Sequence, residues 1–128
     1  ALVDDGVRQN DTALLFITHD LAVVATLTER VLVMYGGRVV ETGPTRDVLT
    51  RPRHPYTRGL LHAADLDAAG HGVDLPTIPG TVPAAGHFPT GCVFRNRCDR
   101  SSEHCVQTPP WSGVAAAGYA CFHPVEES

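Results

Sequence analysis

An α/β unit followed by a small, irregular, cysteine-rich extension is the fold that this 128-residue sequence predicts, on three observations. The apolar run "ALLFIT", residues 13–18, stops at a Thr-His-Asp triplet and gives way to an apolar pattern of helical spacing. The runs "RVLVMY" and "RVVETG" are joined by Gly36-Gly37, a strong hairpin signal because two glycines tolerate the positive φ of a tight turn. All four cysteines, Cys92, Cys98, Cys105 and Cys121, lie beyond residue 91 in a stretch with little apolar periodicity.

Taken in order, residues 13–18 form an almost continuous apolar run, which predicts a strand buried on both faces, as in a parallel sheet. Asp20 then caps a helix through about Glu29, on which Leu21, Val24, Ala25 and Leu27 approximate one face. The opening "ALVDDGVRQNDTALLFITHD" starts with Ala and reads as the tail of a helix running into that strand, which suggests a fragment. A partner strand would then precede residue 1, and residues 1–63 alone are expected to be marginal or aggregation-prone. After the hairpin, Pro44 and Pro55 each stand where a first helical turn begins, giving short helices near 44–51 and 55–64. Tyr56 and Leu60, four apart, share a side of the second of these and read as core packing. From Asp65 the chain turns dense in Gly and Pro without either period, a connector, so the boundary is placed between 1–64 and 65–128. The tail from Gly91 is expected to need a staple in order to fold.

Composition narrows the function. A net charge of -4 and a pI near 5.9 provide no basic field for nucleic acid. No run of about 18 apolar residues spans a bilayer, so the chain reads as soluble. All ten basic residues are arginine. A Walker A loop, G-x-x-x-x-G-K-[ST], needs a lysine to reach the β and γ phosphates, so the chain contains none.

His19 falls at the carboxyl end of the predicted strand, immediately before a helix N-terminus, a setting suited to phosphate in open α/β sheets. By pattern alone, a histidine packed at a strand end and bonded to backbone is the simpler reading. The surrounding sequence changes that. "LLFITHDLAVVATLTERVLVMYGGRVVETGPTRDVL" resembles the stretch of an ABC-transporter ATPase, a P-loop NTPase, that begins at its switch-histidine loop. "RHPYTRGLL" resembles the opening of the C-terminal extension in the oligopeptide and dipeptide importer branch, and "IPGTVPAAGHFPTGCVFRNRC", "PPW" and "GYACFHP" resemble the rest of it. The resemblance covers nearly the whole chain, with independent motifs in the family order.

What the resemblance implies is the C-terminal portion of an ATP-binding subunit that energises peptide uptake. His19 matches the switch histidine that contacts the γ-phosphate of ATP, with Mg2+, between two ATPase subunits. Asp20 needs no role beyond capping. Implied partners are a second ABC ATPase subunit, transmembrane permease subunits and, indirectly, an extracytoplasmic peptide-binding protein, with the subunit peripheral at the cytoplasmic face of the membrane. The LSGGQ-type signature and Walker B carboxylates are absent along with Walker A, so this chain by itself is expected not to hydrolyse ATP.

The cysteines are spaced C-x5-C-x6-C-x15-C, wider than the two-to-four-residue knuckles of structural zinc sites. A [4Fe-4S] cluster distributes its ligands over four irons and accepts such gaps. A cluster on Cys92, Cys98, Cys105 and Cys121 is therefore favoured over zinc, with unbound or disulfide-linked thiols third. In the family that the chain resembles, only some members carry such a cysteine set in the extension, and the resemblance to those implies a [4Fe-4S] binder. Arg95, Arg97 and Arg100 either offset the charge of four thiolates or are solvated surface. His104 and His123 adjoin the cysteines, yet four sulfurs leave them no necessary ligand role. Trp111, Phe94 and Phe122 are expected to roof the small core around the site. The competing function is an independent iron-sulfur or zinc module with structural or regulatory duty. A metallohydrolase built on His19 and Asp20 is set aside, because no second histidine stands at ligand spacing.

Overall fold

The computed structural model describes residues 13–69 and 78–125, with the side chains of residues 65–69 excepted. Its elements run α1 (Leu21–Leu27), β1 (Arg30–Tyr35), β2 (Arg38–Pro44), α2 (Thr45–Thr50), α3 (Pro55–Ala69), a 3-10 turn (Glu103–Val106), β3 (Trp111–Val114) and β4 (Ala117–Ala120). The four strands make one sheet in the order β1-β2-β4-β3, and each neighbouring pair is antiparallel.

Residues 13–18 are not a strand, which corrects the expectation of a buried parallel strand. A strand exists through its ladder of hydrogen bonds, and among the described residues no neighbour offers one here. Leu15 and Ile17 are accordingly 81% and 89% exposed. The following cap forms as expected: Asp20 Oδ1 accepts the N–H groups of Ala22 at 3.0 Å and Val23 at 3.4 Å. The helix ends at Leu27 and does not reach Glu29, because Thr28 turns to extended backbone and donates its hydroxyl to the Val24 carbonyl at 2.7 Å.

Gly36 and Gly37 both have positive φ, 60° and 78°, which is the backbone that a two-residue hairpin turn with the right-handed strand twist requires. The register then steps from Val33↔Glu41 to Met34↔Val39, leaving Val40 as the extra residue of a bulge. A bulge re-aims side chains, and here Val40 and Glu41 are both buried, at 3% exposure each. Proline opens α3 as predicted, but the helix continues to Ala69, past the expected end at 64.

Beyond the connector, the tail is more regular than its sequence suggested. β3 and β4 form a hairpin that pairs with β2 through Glu41↔Tyr119 and Thr42↔Gly118. Arg30 reaches across to donate to the Ala116 carbonyl in its turn. The core likewise joins both sides of residue 65: Val33, Tyr35, Val40 and Val48 pack with Cys92, Val93, Phe94 and Cys105. Tyr35 is its aromatic hub, with ring centroids 4.8 Å from Tyr56, 5.2 Å from Phe94 and 5.6 Å from Phe88.

Candidate functional site

The loop from Gly91 to Val106 folds back on itself, because the Cys92 N–H donates to the Cys105 carbonyl at 3.0 Å. Gly91 makes that closure possible. Its φ is +75°, and a β-carbon there would lie 2.4 Å from the Val106 carbonyl, so only glycine fits. Cys92 and Cys105 are thereby buried together, and Cys98 packs against the same core half-exposed. Cys121 enters from the end of β4 and is also half-buried.

The four thiols share one electrostatic neighbourhood. Burial pushes the Cys98 thiol up to about 11, against the pull of the Arg100 N–H and with further upward pressure from Cys121, Asp99 and Cys92. Burial likewise raises Cys121; the His123 N–H opposes it, while Cys92 and Cys105 add to it. Cys92 is raised by burial, opposed by the backbone N–H groups of Phe94 and Arg95, and raised again by Cys105. All four cysteines are free thiols. Backbone N–H groups aimed at sulfur are what a thiolate ligand needs to hold its charge, so the donor set suits a soft metal or cluster in kind. In spacing it is not closed: among the described residues, no group of three or more His, Cys, Asp or Glu side chains is arranged to hold a metal ion.

The arginines around this loop all reach backbone carbonyls. Arg95 Nε donates to Thr90 at 2.8 Å, and Arg97 Nε to Pro79 at 2.8 Å while its guanidinium lies over the Tyr35 ring. Arg100 donates to the carbonyls of His123 and Pro124. The Cys98 loop is fixed to α3 by Arg58, whose Nη2 reaches Asp99 Oδ1 at 2.7 Å and Oδ2 at 2.5 Å. His123 Nε2 shares a 2.6 Å hydrogen bond with Ser102 Oγ, and the His104 ring rests near Phe122 and His123. Phe94 is buried in the core beside the cysteines, with Phe122 packed against it. Trp111 is not a roof: it is 38% exposed, and its indole N–H donates to the carbonyl of Val114, at the other end of β3, at 2.8 Å. An open cleft of about 230 Å³, lined in part by Arg38, Cys92, Thr108 and Pro109, borders Cys92.

His19 stands elsewhere, exposed, at the bend before α1. Thr18 Oγ1 accepts the Asp20 N–H at 3.0 Å and shapes that bend. The cysteines thus share a neighbourhood without closing into a ligand set, and His19 is not among the residues around them.

A polar node at the start of α3 went unmarked by sequence reasoning. The Glu41 carboxylate accepts the N–H groups of Arg53 at 2.9 Å and His54 at 3.0 Å. His54 is 1% exposed, and its Nδ1 accepts the Tyr56 N–H at 3.0 Å, capping the helix from within the core. Burial pushes its pKa down to about 4. Among the described residues, His54 Nε2 and Thr57 Oγ1 meet no hydrogen-bond partner. A His-Pro pair ahead of an apolar helix signals a helix start, but nothing in the sequence signals the carboxylate that meets it.

Comparison with known proteins identifies the family of the chain. A family profile described as "Oligopeptide/dipeptide transporter, C-terminal region" matches residues 40–105, which contain the bulge at Val40, the Glu41 node and three of the cysteines. The chain is similar to the probable D,D-dipeptide transport ATP-binding protein DdpD of Escherichia coli K12, at 45% identity over 98% of this chain and 39% of that protein. It is similar to the oligopeptide transport ATP-binding protein OppD of Salmonella typhimurium, at 44% identity over 98% of this chain and 38% of that protein. The peptide transport system ATP-binding protein SapD of Salmonella typhimurium matches at 36% identity over 92% of this chain and 36% of its own length. The chain therefore spans about two-fifths of the length of these curated relatives. By the match to more than half of its residues, the chain belongs to the oligopeptide/dipeptide transporter family and carries that family's C-terminal region.

Proposed function

We propose that this chain is the C-terminal portion of the ATP-binding subunit of an ABC importer for peptides. The observation that carries the reading is identity of 44–45% along 98% of the chain to proteins named as dipeptide and oligopeptide transport ATP-binding proteins. In the intact subunit, His19 contacts the γ-phosphate of ATP, with Mg2+ present, across an interface with a second ATPase subunit. Its place at an exposed bend before a capped helix leaves the imidazole accessible for that contact. The subunit works peripherally at the cytoplasmic face of the membrane, on permease subunits supplied by a peptide-binding protein. Among the described residues, no helix is long and apolar enough to cross a membrane.

Residues 65–128 form the family extension, whose cysteines Cys92, Cys98, Cys105 and Cys121 hold a [4Fe-4S] cluster in preference to zinc. Their common neighbourhood and the backbone N–H groups aimed at Cys98 and Cys121 support this. Such a group supplies structural cross-linking and a redox-sensitive element and takes no part in ATP hydrolysis, since four protein ligands leave no open position for substrate.

Two measurements test the reading. In the intact subunit, His19→Ala is expected to abolish most ATP turnover while leaving ATP binding largely unchanged; near-normal turnover overturns the assignment of His19. Anaerobic purification of the chain with assays for iron, acid-labile sulfide and zinc decides the second part. Iron and sulfide in equal amounts identify the cluster, zinc alone replaces it, and neither metal removes the ligand reading.

A further inference from the structure

Cys121 is the cysteine farthest from the others in sequence, and it is tied to them through Arg100. The Arg100 N–H donates to Cys98 Sγ at 3.3 Å. Its guanidinium reaches the other segment, donating through Nε to the His123 carbonyl at 2.8 Å and through Nη2 to the Pro124 carbonyl at 3.3 Å. His123 in turn donates its N–H to Cys121 Sγ at 3.3 Å. A second tie runs in parallel. His123 Nε2 and Ser102 Oγ are 2.6 Å apart, and the Ser102 carbonyl accepts the Cys105 N–H at 3.0 Å. The peptide around His123 is thus gripped from two sides by residues of the loop that carries Cys98 and Cys105.

Arg100 and Ser102 are both exposed, so this attachment is made by directed hydrogen bonds on the surface rather than by apolar burial. Farther along, Val125 is paired with Arg53, its N–H donating to the Arg53 carbonyl at 2.7 Å. Arg53 Nε also donates to the Val125 carbonyl at 3.0 Å, so the segment after β4 is held by Arg100 at His123 and Pro124 and by Arg53 at its end.

We propose that Arg100 is the positioning residue of the four-cysteine group: backed by the Ser102–His123 bond, it latches Cys121–Val125 onto the Cys98 loop and fixes the fourth sulfur in place. The proposal rests on reading the four cysteines as one ligand set, and it gives the fourth sulfur of that set a held position. Three thiols come from one closed loop. The fourth arrives from the far end of a hairpin, one residue past β4, and the latch holds the turn that follows it. Without the latch, binding an ion must also order the segment that supplies Cys121, and affinity falls by that amount.

The test uses the full chain in two states. In the reduced, metal-free protein, a pulse of iodoacetamide followed by mass spectrometry gives the alkylation rate of each cysteine. Arg100→Gln is expected to speed alkylation of Cys121 on the order of tenfold, because a charge-assisted tie no longer opposes local opening, with Cys92 unchanged. Arg95→Gln, which removes a similar carbonyl clamp on Thr90, is expected to leave Cys121 unchanged. In a cobalt(II) titration, Arg100→Gln is expected to bind roughly 10–100-fold more weakly. Its sulfur-to-cobalt absorption should also fall from the intensity of four thiolates to that of three. Unchanged Cys121 alkylation together with wild-type cobalt binding in Arg100→Gln overturns the latch. Failure of the unsubstituted chain to bind cobalt, with Cys121 still selectively exposed by Arg100→Gln, overturns the metal reading and leaves the latch standing. If Arg100→Gln exposes all four cysteines alike, Ser102→Ala decides: a selective gain at Cys121 supports the latch, and no gain overturns it.

Discussion

His54 couples helix capping to acid sensitivity. Its Nδ1 accepts the Tyr56 N–H, so the ring must be neutral there, and burial pushes its pKa down to about 4 from an ordinary 6.5. Below 6.5 the unfolded chain takes up a proton that the folded chain refuses. The stability that His54 permits is therefore complete above about pH 6.5 and is lost as pH falls toward 4, amounting to roughly 3 kcal/mol over that window. Urea unfolding at pH 7 and pH 4.5 should show this loss in the native chain. His54→Asn, which keeps a capping oxygen and cannot titrate, should lose less by most of that amount. Equal pH slopes in the two proteins would remove His54 as the cause. Gly91 is the second residue on which the site depends. Gly91→Ala must place a β-carbon 2.4 Å from the Val106 carbonyl at a φ of +75°, so a loss of about 2–4 kcal/mol is expected in the same assay. The glycine and the His-Pro pair are plain in the sequence. Their necessity is not, because it arises from Val106 and Glu41, which are remote from them along the chain.

Among the elements, β2 does the most to place the others. Its bulge at Val40 buries Glu41, whose carboxylate then accepts two N–H groups at the entrance to α3. α3 in turn carries Arg58, which grips Asp99 beside Cys98, so the strand reaches the cysteine loop through the helix. Glu41→Gln keeps the volume but removes one acceptor and presents an N–H2 group to backbone N–H. A loss of about 1–3 kcal/mol is expected, with faster amide exchange at Arg53 and His54 as the specific sign. Unchanged exchange at those two amides would show that the carboxylate is not what holds them. The hairpin, the Asp20 cap and both proline-started helices were legible because each depends on chemistry within a few residues. Residues 13–18 carry a strand pattern without a strand, since a ladder needs a second chain segment. The opposite failure hid β3 and β4: "WSGV" and "AGYA" are too poor in β-branched residues to read as strands, and they become strands because β2 offers its open edge.

At the scale of the whole molecule, a change of texture in sequence is not a boundary in packing. The composition shifts at Asp65, yet Cys92, Val93, Phe94 and Cys105 from beyond it supply half of the buried core that Val33, Tyr35, Val40 and Val48 supply from before it. The sheet repeats the pattern, with β2 paired to β1 on one side and to β4 on the other. Each part therefore provides the apolar surface that the other must bury, and among the described residues neither contains a closed core of its own. This separates two ways in which the cysteine loop could be stabilised. If an ion were the main staple, residues 65–128 would fold around it without the first part. If the shared core is the main support, residues 65–128 alone should lack cooperative unfolding and show near-equal alkylation of all four cysteines, even with cobalt(II) or zinc added. Mixing them with separately prepared residues 1–64 should restore both the slow alkylation of Cys92 and Cys105 and a single unfolding transition. The shared core predicts the second outcome. A cooperative transition in residues 65–128 with metal alone would show instead that the loop is stapled by its sulfurs and only leans on Tyr35 and Val40.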